Sequence, residues 1–263
     1  MLGIDVADQD GRVDWTAVKN SGKTFAFVKA TEGVSIKDSA FVHHWQTMKT
    51  VGIIRGAYHF FHPHTSDPVQ QAQEFLKTLG KLEPGDLPPV LDVEVTDKVN
   101  SQAVISAAKL WLAEVEKALF QQTKKAIKPI IYTFPSFWTE LGNPSDFASY
   151  PLWIAHYGTQ NPSIPGAWQG QYLIHQYEGD ISGVAGVSGR ADLNRFNGLQ
   201  LGDSGLRVKQ LQQQLKDIGL YTDAIDGKFS ESVKNAIVSF QTSKKLQADG
   251  IVGIKTWVAL LWI

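Results

Sequence analysis

The 263-residue chain has no cysteine. That excludes disulfide frameworks, zinc-thiolate sites and thiol nucleophiles, and it leaves the redox compartment open. It also lacks a charge excess: 25 Lys and Arg stand against 26 Asp and Glu, a net charge of −1. Neither nucleic acid nor a membrane is therefore expected as a partner. No stretch approaches the roughly 18 apolar residues of a membrane span, and the opening MLGIDVADQDGR has no basic region followed by an apolar one. A soluble protein without a visible export signal is the expectation. What the chain does have is 43% apolar and 11% aromatic residues, enough for a large core in one large domain or two unequal ones.

Charge divides the chain near residue 198. Residues 1–197 hold 17 basic and 20 acidic residues, residues 198–263 hold 8 and 6, and all seven histidines fall in the first part. The first part alternates short apolar runs with helical patterns. Runs at Leu2 to Val6, Phe25 to Ala30, Ile53 to Phe61 and Pro89 to Val95 read as strands. Further runs follow at Pro129 to Thr133, Leu152 to Ala155, Tyr172 to Tyr177 and Ala191 to Phe196. Helices are expected at Asp14 to Ser21 with Asp14 as cap, Ser39 to Thr50, Pro68 to Leu79 and Gln102 to Gln122. The pattern predicts an α/β fold, an irregular TIM-like (β/α) barrel of about eight strands over residues 1–197. Residues 198–263 show helical stripes at Val208, Leu211, Leu215, Ile218 and at Val233, Ile237, Phe240. Two related turns, at Asp226-Gly227 and Asp249-Gly250, accompany them. A small three-helix module of two similar halves is expected there.

In such a barrel the chemistry sits at the C-terminal ends of strands, so polar residues that interrupt apolar strands are the ones to inspect. Four acids qualify: Asp5, Asp92, Glu94 and Asp192. Asp92 and Glu94 are two apart, which on a strand places both on one face with Cα atoms roughly 6.5 to 7 Å apart. Two carboxyls in one apolar cavity repel when ionised and burial penalises charge, so one is expected to stay protonated as a general acid. Glycoside hydrolysis needs that arrangement. The residues alone leave other readings open: a structural ion pair, or four carboxylates holding Mg²⁺ or Ca²⁺, although no phosphate or calcium loop accompanies them. The His59, His62 and His64 tract has no spacing that puts three ligands on one face, so no metal and no cofactor is expected.

At these positions the sequence resembles the glycoside hydrolase family 25 lysozymes, the Chalaropsis-type muramidases. The matching segments are Gly3-Ile4-Asp5-Val6, Phe27 to Gly33, Gly56 to Phe60, Leu91-Asp92-Val93-Glu94, Tyr132-Thr133, Trp153-Ile154-Ala155, His175-Gln176-Tyr177 and Asp192-Leu193-Asn194, in family order. Val6-Ala7 departs from the pattern, since many members have a Ser after this segment. The resemblance implies cleavage of the β-1,4 bond between N-acetylmuramic acid and N-acetylglucosamine. Glu94 would be the proton donor, and Asp5, Asp92 and Asp192 would line the −1 subsite. It further implies that Glu32, Tyr58, Tyr132, Trp153 and Tyr157 contact substrate. Chitinases that also end a strand in Asp-x-Glu usually carry another acid two residues earlier, where this chain has Val90.

The second part resembles the type 1 peptidoglycan-binding domains through Gly202 to Gly205, Val208 to Gln212, Asp226 to Phe229, Phe240-Gln241 and Asp249 to Gly253. The implied partner is bacterial peptidoglycan, met by a monomer. The implied place of action is the bacterial cell wall, reached as a phage endolysin made in the host cytoplasm or by another export route. A non-catalytic peptidoglycan-binding protein is the alternative, and the presence of Glu94 counts against it.

Overall fold

The computed structural model describes residues 1–263. The chain divides into two compact units, Leu2–Arg195 and Phe196–Ile263 with Met1. In the first unit the strands are β1 (Leu2–Val6), β2 (Lys23–Glu32), β3 (Ile36–Lys37), β4 (Ile54–Phe60), β5 (Val90–Asp92), β6 (Ile130–Thr133), β7 (Leu152–Ala155), β8 (Ile174–Ser182) and β9 (Arg190–Phe196). Their order is β1-β9-β8-β7-β6-β5-β4-β2-β3, and β1 also pairs with β2. That pairing closes eight strands into a barrel and leaves β3 as a two-residue flap on β2. The expected barrel is present, with one irregularity: β9 runs antiparallel to β1, whereas β1, β2, β4, β5, β6, β7 and β8 pair in parallel. In parallel strands all C-terminal ends open on one rim, and that rim carries the polar side chains described below.

Helices α1 (Trp15–Asn20), α2 (Phe41–Val51), α3 (Pro68–Leu79), α4 (Ser101–Thr123) and α5 (Pro135–Glu140) separate the strands. Their starts follow local chemistry. The Asp14 carboxylate accepts from the Thr16 and Ala17 amides, Asp67 accepts from Gln70 with Pro68 in the first turn, and Asn100 accepts from Ala103. Proline at the first helical position also starts α5, a helix too short to carry a periodic signal. The unexpected β3 has both residues exposed, so it shows no burial pattern to read.

The barrel interior is aromatic. Phe27 stacks on Trp153 with ring centroids 4.5 Å apart, and Phe25 meets Phe27 edge-on at 6.2 Å. These rings lie against neighbouring strands where only hydrogen is tolerated: a Cβ on Gly56 would fall 2.2 Å from Phe27, and one on Gly3 would fall 2.6 Å from Phe25. The two glycines thus let the floor of the barrel fill with phenylalanine.

The second unit holds α6 (Leu206–Asp217), α7 (Glu231–Ser243) and α8 (Ile254–Leu261) around a core of Val208, Leu211, Leu215, Phe229, Val233, Ile237 and Phe240. The two expected turns are built alike. Gly227 and Gly250 both have φ in the left-handed region, at 77° and 74°. Each glycine amide donates to a buried glutamine, Gln212 and Gln241 respectively, at 2.7 and 2.9 Å. Each glutamine amide donates back to the turn aspartate, Asp226 at 2.8 Å and Asp249 at 2.9 Å.

Candidate active site

The rim encloses a cleft of about 200 Å³ lined by Asp5, Gln9, Lys29, Tyr58, Phe60, Asp92, Glu94, Tyr132, Trp153, Gln176 and Asp192. Strand register explains the assembly. Asp5 on β1 lies opposite Asp192 on β9, while Asp92 ends β5 between Phe60 of β4 and Tyr132 of β6. Following the strand order around the barrel, the Asp5 and Asp192 pair faces the Asp92 and Glu94 pair across the mouth. β5 itself stops at Asp92, so Glu94 lies just past the strand and not on it. The alternation nonetheless persists: Val93 is buried and its amide donates to the Tyr132 carbonyl, while Asp92 and Glu94 both line the cleft.

Gln176 organises one wall. Its carbonyl oxygen accepts from the hydroxyls of Tyr132 (2.8 Å) and Tyr157 (2.9 Å), and its amide nitrogen donates to Asp5 (3.0 Å) and Asp192 (3.0 Å). With hydroxyls on one side and carboxylates on the other, only one orientation of the amide satisfies all four partners. Asn194 adds a second donor to Asp5 at 2.6 Å and accepts from the Trp153 indole at 2.8 Å. Asp192 also accepts from the Asp180 amide at 2.6 Å. These two carboxylates are therefore held before any ligand arrives.

The acids are crowded and shielded from water. Burial pushes the Asp5 carboxyl well above the usual carboxylate range, and neighbouring Asp192 adds to it against the hydrogen bonds from Asn194 and Gln176. Burial does the same at Asp92, reinforced by Glu94 and Asp5. One oxygen of Asp92 is buried without a hydrogen-bond partner, so no hydrogen bond stabilises a charge on that oxygen. Glu94 is raised by burial and by Asp192 across the cleft, and Asp192 by burial foremost. Lys29, the one cation in the lining, opposes the rise at Asp92 and Glu94. Four crowded, buried carboxyls cannot all ionise as readily as free ones, so a site of this kind favours keeping a proton on one of them beside charged neighbours.

Glu94 and Tyr132 also line a second groove of about 400 Å³, completed by Phe134, Pro135, Ser136, Ala155, His156 and Tyr157. Glu94 thus stands where two adjoining pockets meet.

Residues 4–185 match the family model of the Glycosyl hydrolases family 25. The chain belongs to this family. Residues 204–260 match the peptidoglycan binding domain model PG_binding_1. Among relatives, Lysozyme M1 of Streptomyces globisporus is 35% identical over 202 residues, 74% of this chain and 67% of that protein. The autolytic lysozyme of Clostridium acetobutylicum is 34% identical over 269 residues, 97% of this chain and 77% of that protein. The crystal structure of a bacterial lysozyme from Streptomyces coelicolor superposes with a TM-score of 0.67 at 33% identity, covering 75% of this chain and 92% of that one.

Within this family 25 hydrolase the structure gathers Asp5, Asp92, Glu94, Asp192, Tyr58, Tyr132 and Trp153 at one cleft and puts Tyr157 in the adjoining groove. Glu32 stands apart from these. It lies outside both linings and is occupied by Lys29 on one oxygen and His62 on the other. Trp153 needs a narrower role than sugar stacking: it is 2% exposed, Phe27 covers one face, and Tyr132 meets it edge-on. It supports the floor and braces Asn194. Gln176, Asn194 and Lys29 are functional neighbours that a search restricted to acids and aromatics passes over. The signal for the two amides was present, since each is a polar residue interrupting an apolar strand.

Proposed function

We propose that this glycoside hydrolase is a peptidoglycan muramidase that cleaves the β-1,4 bond between N-acetylmuramic acid and N-acetylglucosamine, with Glu94 as general acid and base. The observation that carries the assignment is the position of Glu94 at the junction of two pockets, the place a proton donor must occupy between the sugar that is attacked and the sugar that leaves. Its raised affinity for a proton suits that role.

The carboxylates support a retaining route assisted by the substrate. The acetamido oxygen of the muramic acid residue attacks C1 while Glu94 protonates the departing glycosidic oxygen, giving an oxazolinium ion. Asp92 accepts the acetamido N–H and balances the positive charge. Glu94, now a carboxylate, takes a proton from water, which opens the oxazolinium at C1 and restores the starting configuration. Asp5 and Asp192, held by Gln176, stabilise the developing positive charge across the ring. Tyr58 and Tyr132 supply hydroxyl contacts in the cleft, and Tyr157 and Phe134 flank the leaving sugar.

Residues 198–263 anchor the enzyme to peptidoglycan and raise its local concentration there. Deleting them is expected to weaken binding to whole sacculi while sparing cleavage of soluble glycan oligomers; equal sacculus binding would refute the anchor. The relatives' names include an autolytic lysozyme, and action at the cell wall, in the manner of an endolysin or autolysin, fits this pairing. The enzyme acts as a monomer.

Mass spectrometry of digested peptidoglycan tests the bond, since a muramidase leaves new reducing ends on muramic acid and a glucosaminidase leaves them on glucosamine. NMR of the first-released anomer and inhibition by a thiazoline analogue test the route. An inverted first product would eliminate it, and a glycosyl ester trapped on Asp5 or Asp192 would replace it with direct attack.

A further inference from the structure

Lys29 has an unusual task. Besides its partner Glu32, its charge is felt by the carboxyls of Asp92 and Glu94 in the cleft and by Asp8, Asp10 and Asp38 beside it. Its ammonium also sits 5.2 Å from the centre of the Phe60 ring. A flexible stem drawn toward several carboxylates takes its position from whichever one is fixed. Glu32 is the one that pairs with it directly, and the structure shows what fixes Glu32.

One Glu32 oxygen pairs with Lys29 and the other lies 3.1 Å from Nε2 of His62. The opposite ring nitrogen, Nδ1, lies 2.9 Å from an oxygen of Asp97. The second Asp97 oxygen accepts from the His64 amide at 3.2 Å. The His62 backbone is clamped as well: its amide donates to Gln71 of α3 at 3.1 Å, and its carbonyl accepts from Gln71 at 2.6 Å. Gln71 is fully buried, so the clamp reaches into the fold. The charged and titratable groups around His62 are Glu32 from β2, Asp97 from the segment between β5 and α4, and His59 from β4.

The geometry itself selects a protonation state. A neutral imidazole donates from one nitrogen and presents a lone pair from the other, which here would face a carboxylate oxygen. Only the imidazolium donates to both. We propose that Asp97, His62 and Glu32 form a positioning chain that presents the Lys29 ammonium to Asp92 and Glu94, with the His62 imidazolium as its charged middle link. His62 is a positioning residue: it does not itself line the cleft, and its ring lies 5.3 Å from that of Phe60, which does. The inference rests on the cleft being the site of hydrolysis.

With His62 charged, Glu32 is shared between two cations and Lys29 keeps much of its field for the cleft. Without that charge, Glu32 neutralises Lys29 more completely. Asp92 and Glu94 then hold their protons more tightly, so both limbs of the pH profile move upward. A merely structural role would lower the rate and leave the limbs in place.

The test is the pH profile of kcat/KM on soluble peptidoglycan oligosaccharides for the full-length protein and for His62→Gln, His62→Arg and Glu94→Gln, each checked by thermal unfolding. His62→Gln is expected to shift both limbs upward by a few tenths of a pH unit, and His62→Arg, with its permanent charge and forked donors, to keep them near the wild-type positions. Unmoved limbs in folded His62→Gln overturn the chain. Should that variant not fold, NMR titration of the His62 imidazole in the wild-type protein and in Glu32→Gln decides. A midpoint above that of an ordinary histidine, lowered by Glu32→Gln, supports the chain, and an ordinary or lower midpoint overturns it. Activity surviving in Glu94→Gln would instead remove the cleft reading, and the imidazole titration would still report on the chain.

Discussion

Buried glutamine serves opposite ends in the two units. Gln176 in the barrel is 1% exposed and directs its hydrogen bonds to two carboxylates and two tyrosines. Gln212 and Gln241 in the second unit are equally buried and direct theirs to the glycine amides and aspartate side chains of two Asp-Gly turns. One amide arranges chemistry and two arrange chain direction. The surroundings differ accordingly: every buried side-chain polar atom without a partner, Asp92 Oδ1 among them, lies in the barrel. The helical unit satisfies its polar groups, while the barrel keeps charged groups close together and out of water. Such crowding costs stability and is the means by which a carboxyl is kept protonated.

The largest effect expected from breaking the barrel's side of this contrast is Glu94→Gln. It preserves shape and removes the transferable proton, so lysis should fall by about 10²–10⁴-fold with folding intact. A folded variant retaining a tenth of the wild-type rate would move the acid elsewhere.

Gln176→Leu comes next. It deprives Asp5 and Asp192 of a shared donor and frees two tyrosine hydroxyls, and misplacement on this scale can cost up to about 10²-fold in kcat/KM. Steady-state kinetics on soluble oligomers measure it. A change confined to thermal stability would show that Gln176 only braces the fold.

Gln212→Ala and Gln241→Ala sharpen the other side. Each leaves a buried glycine amide without its partner and takes one donor from the turn aspartate, which costs about 1–3 kcal/mol in the second unit. Urea unfolding monitors the loss, and cleavage of soluble oligomers should stay at the wild-type rate. Impaired hydrolysis would contradict the separation of roles.

The smallest effect concerns pH and Asp92. Its folded pKa lies well above the ordinary carboxylate value, raised by burial, then by Glu94 and Asp5. The folded state therefore binds this proton more tightly than the unfolded chain does. Its stabilising contribution is full below the unfolded pKa of about 3.9 and is lost as pH rises through the raised value. Asp92→Asn removes that dependence, so the variant's stability relative to wild type should improve from pH 4 toward pH 8. A difference that stays flat or reverses across urea unfolding series would mean that Asp92 is not strained by its charge.

Much of the fold was readable because burial leaves periodic marks. The runs from Leu2, Phe25, Ile53, Pro89, Pro129 and Leu152 are buried on both faces and became parallel barrel strands. The outer half of β8 was not readable, since Glu178 to Ser182 alternate between half-buried and exposed positions and are held by pairing, not by burial. β3 and α5 were too short to register. The acids stood out as charges inside apolar strands. Gln176 and Asn194 interrupt strands just as visibly, but an amide carries no charge to mark it as chemical. Glu32 illustrates the converse: a motif placed it near the site, and its contacts give it to Lys29 and His62.

The sequence by itself determined the strand and helix alternation, the four acids, the paired Asp-Gly turns and the family, because each is written in local pattern or in the order of short motifs. Tertiary structure alone decided that β9 runs antiparallel to β1, that Asp5 meets Asp192 across 187 positions of chain, and that Gln176 bridges them. It also decided that His62 lies between two carboxylates. These are contacts between distant segments, set by barrel closure and strand register, and no local periodicity records which side chains a closed sheet brings face to face.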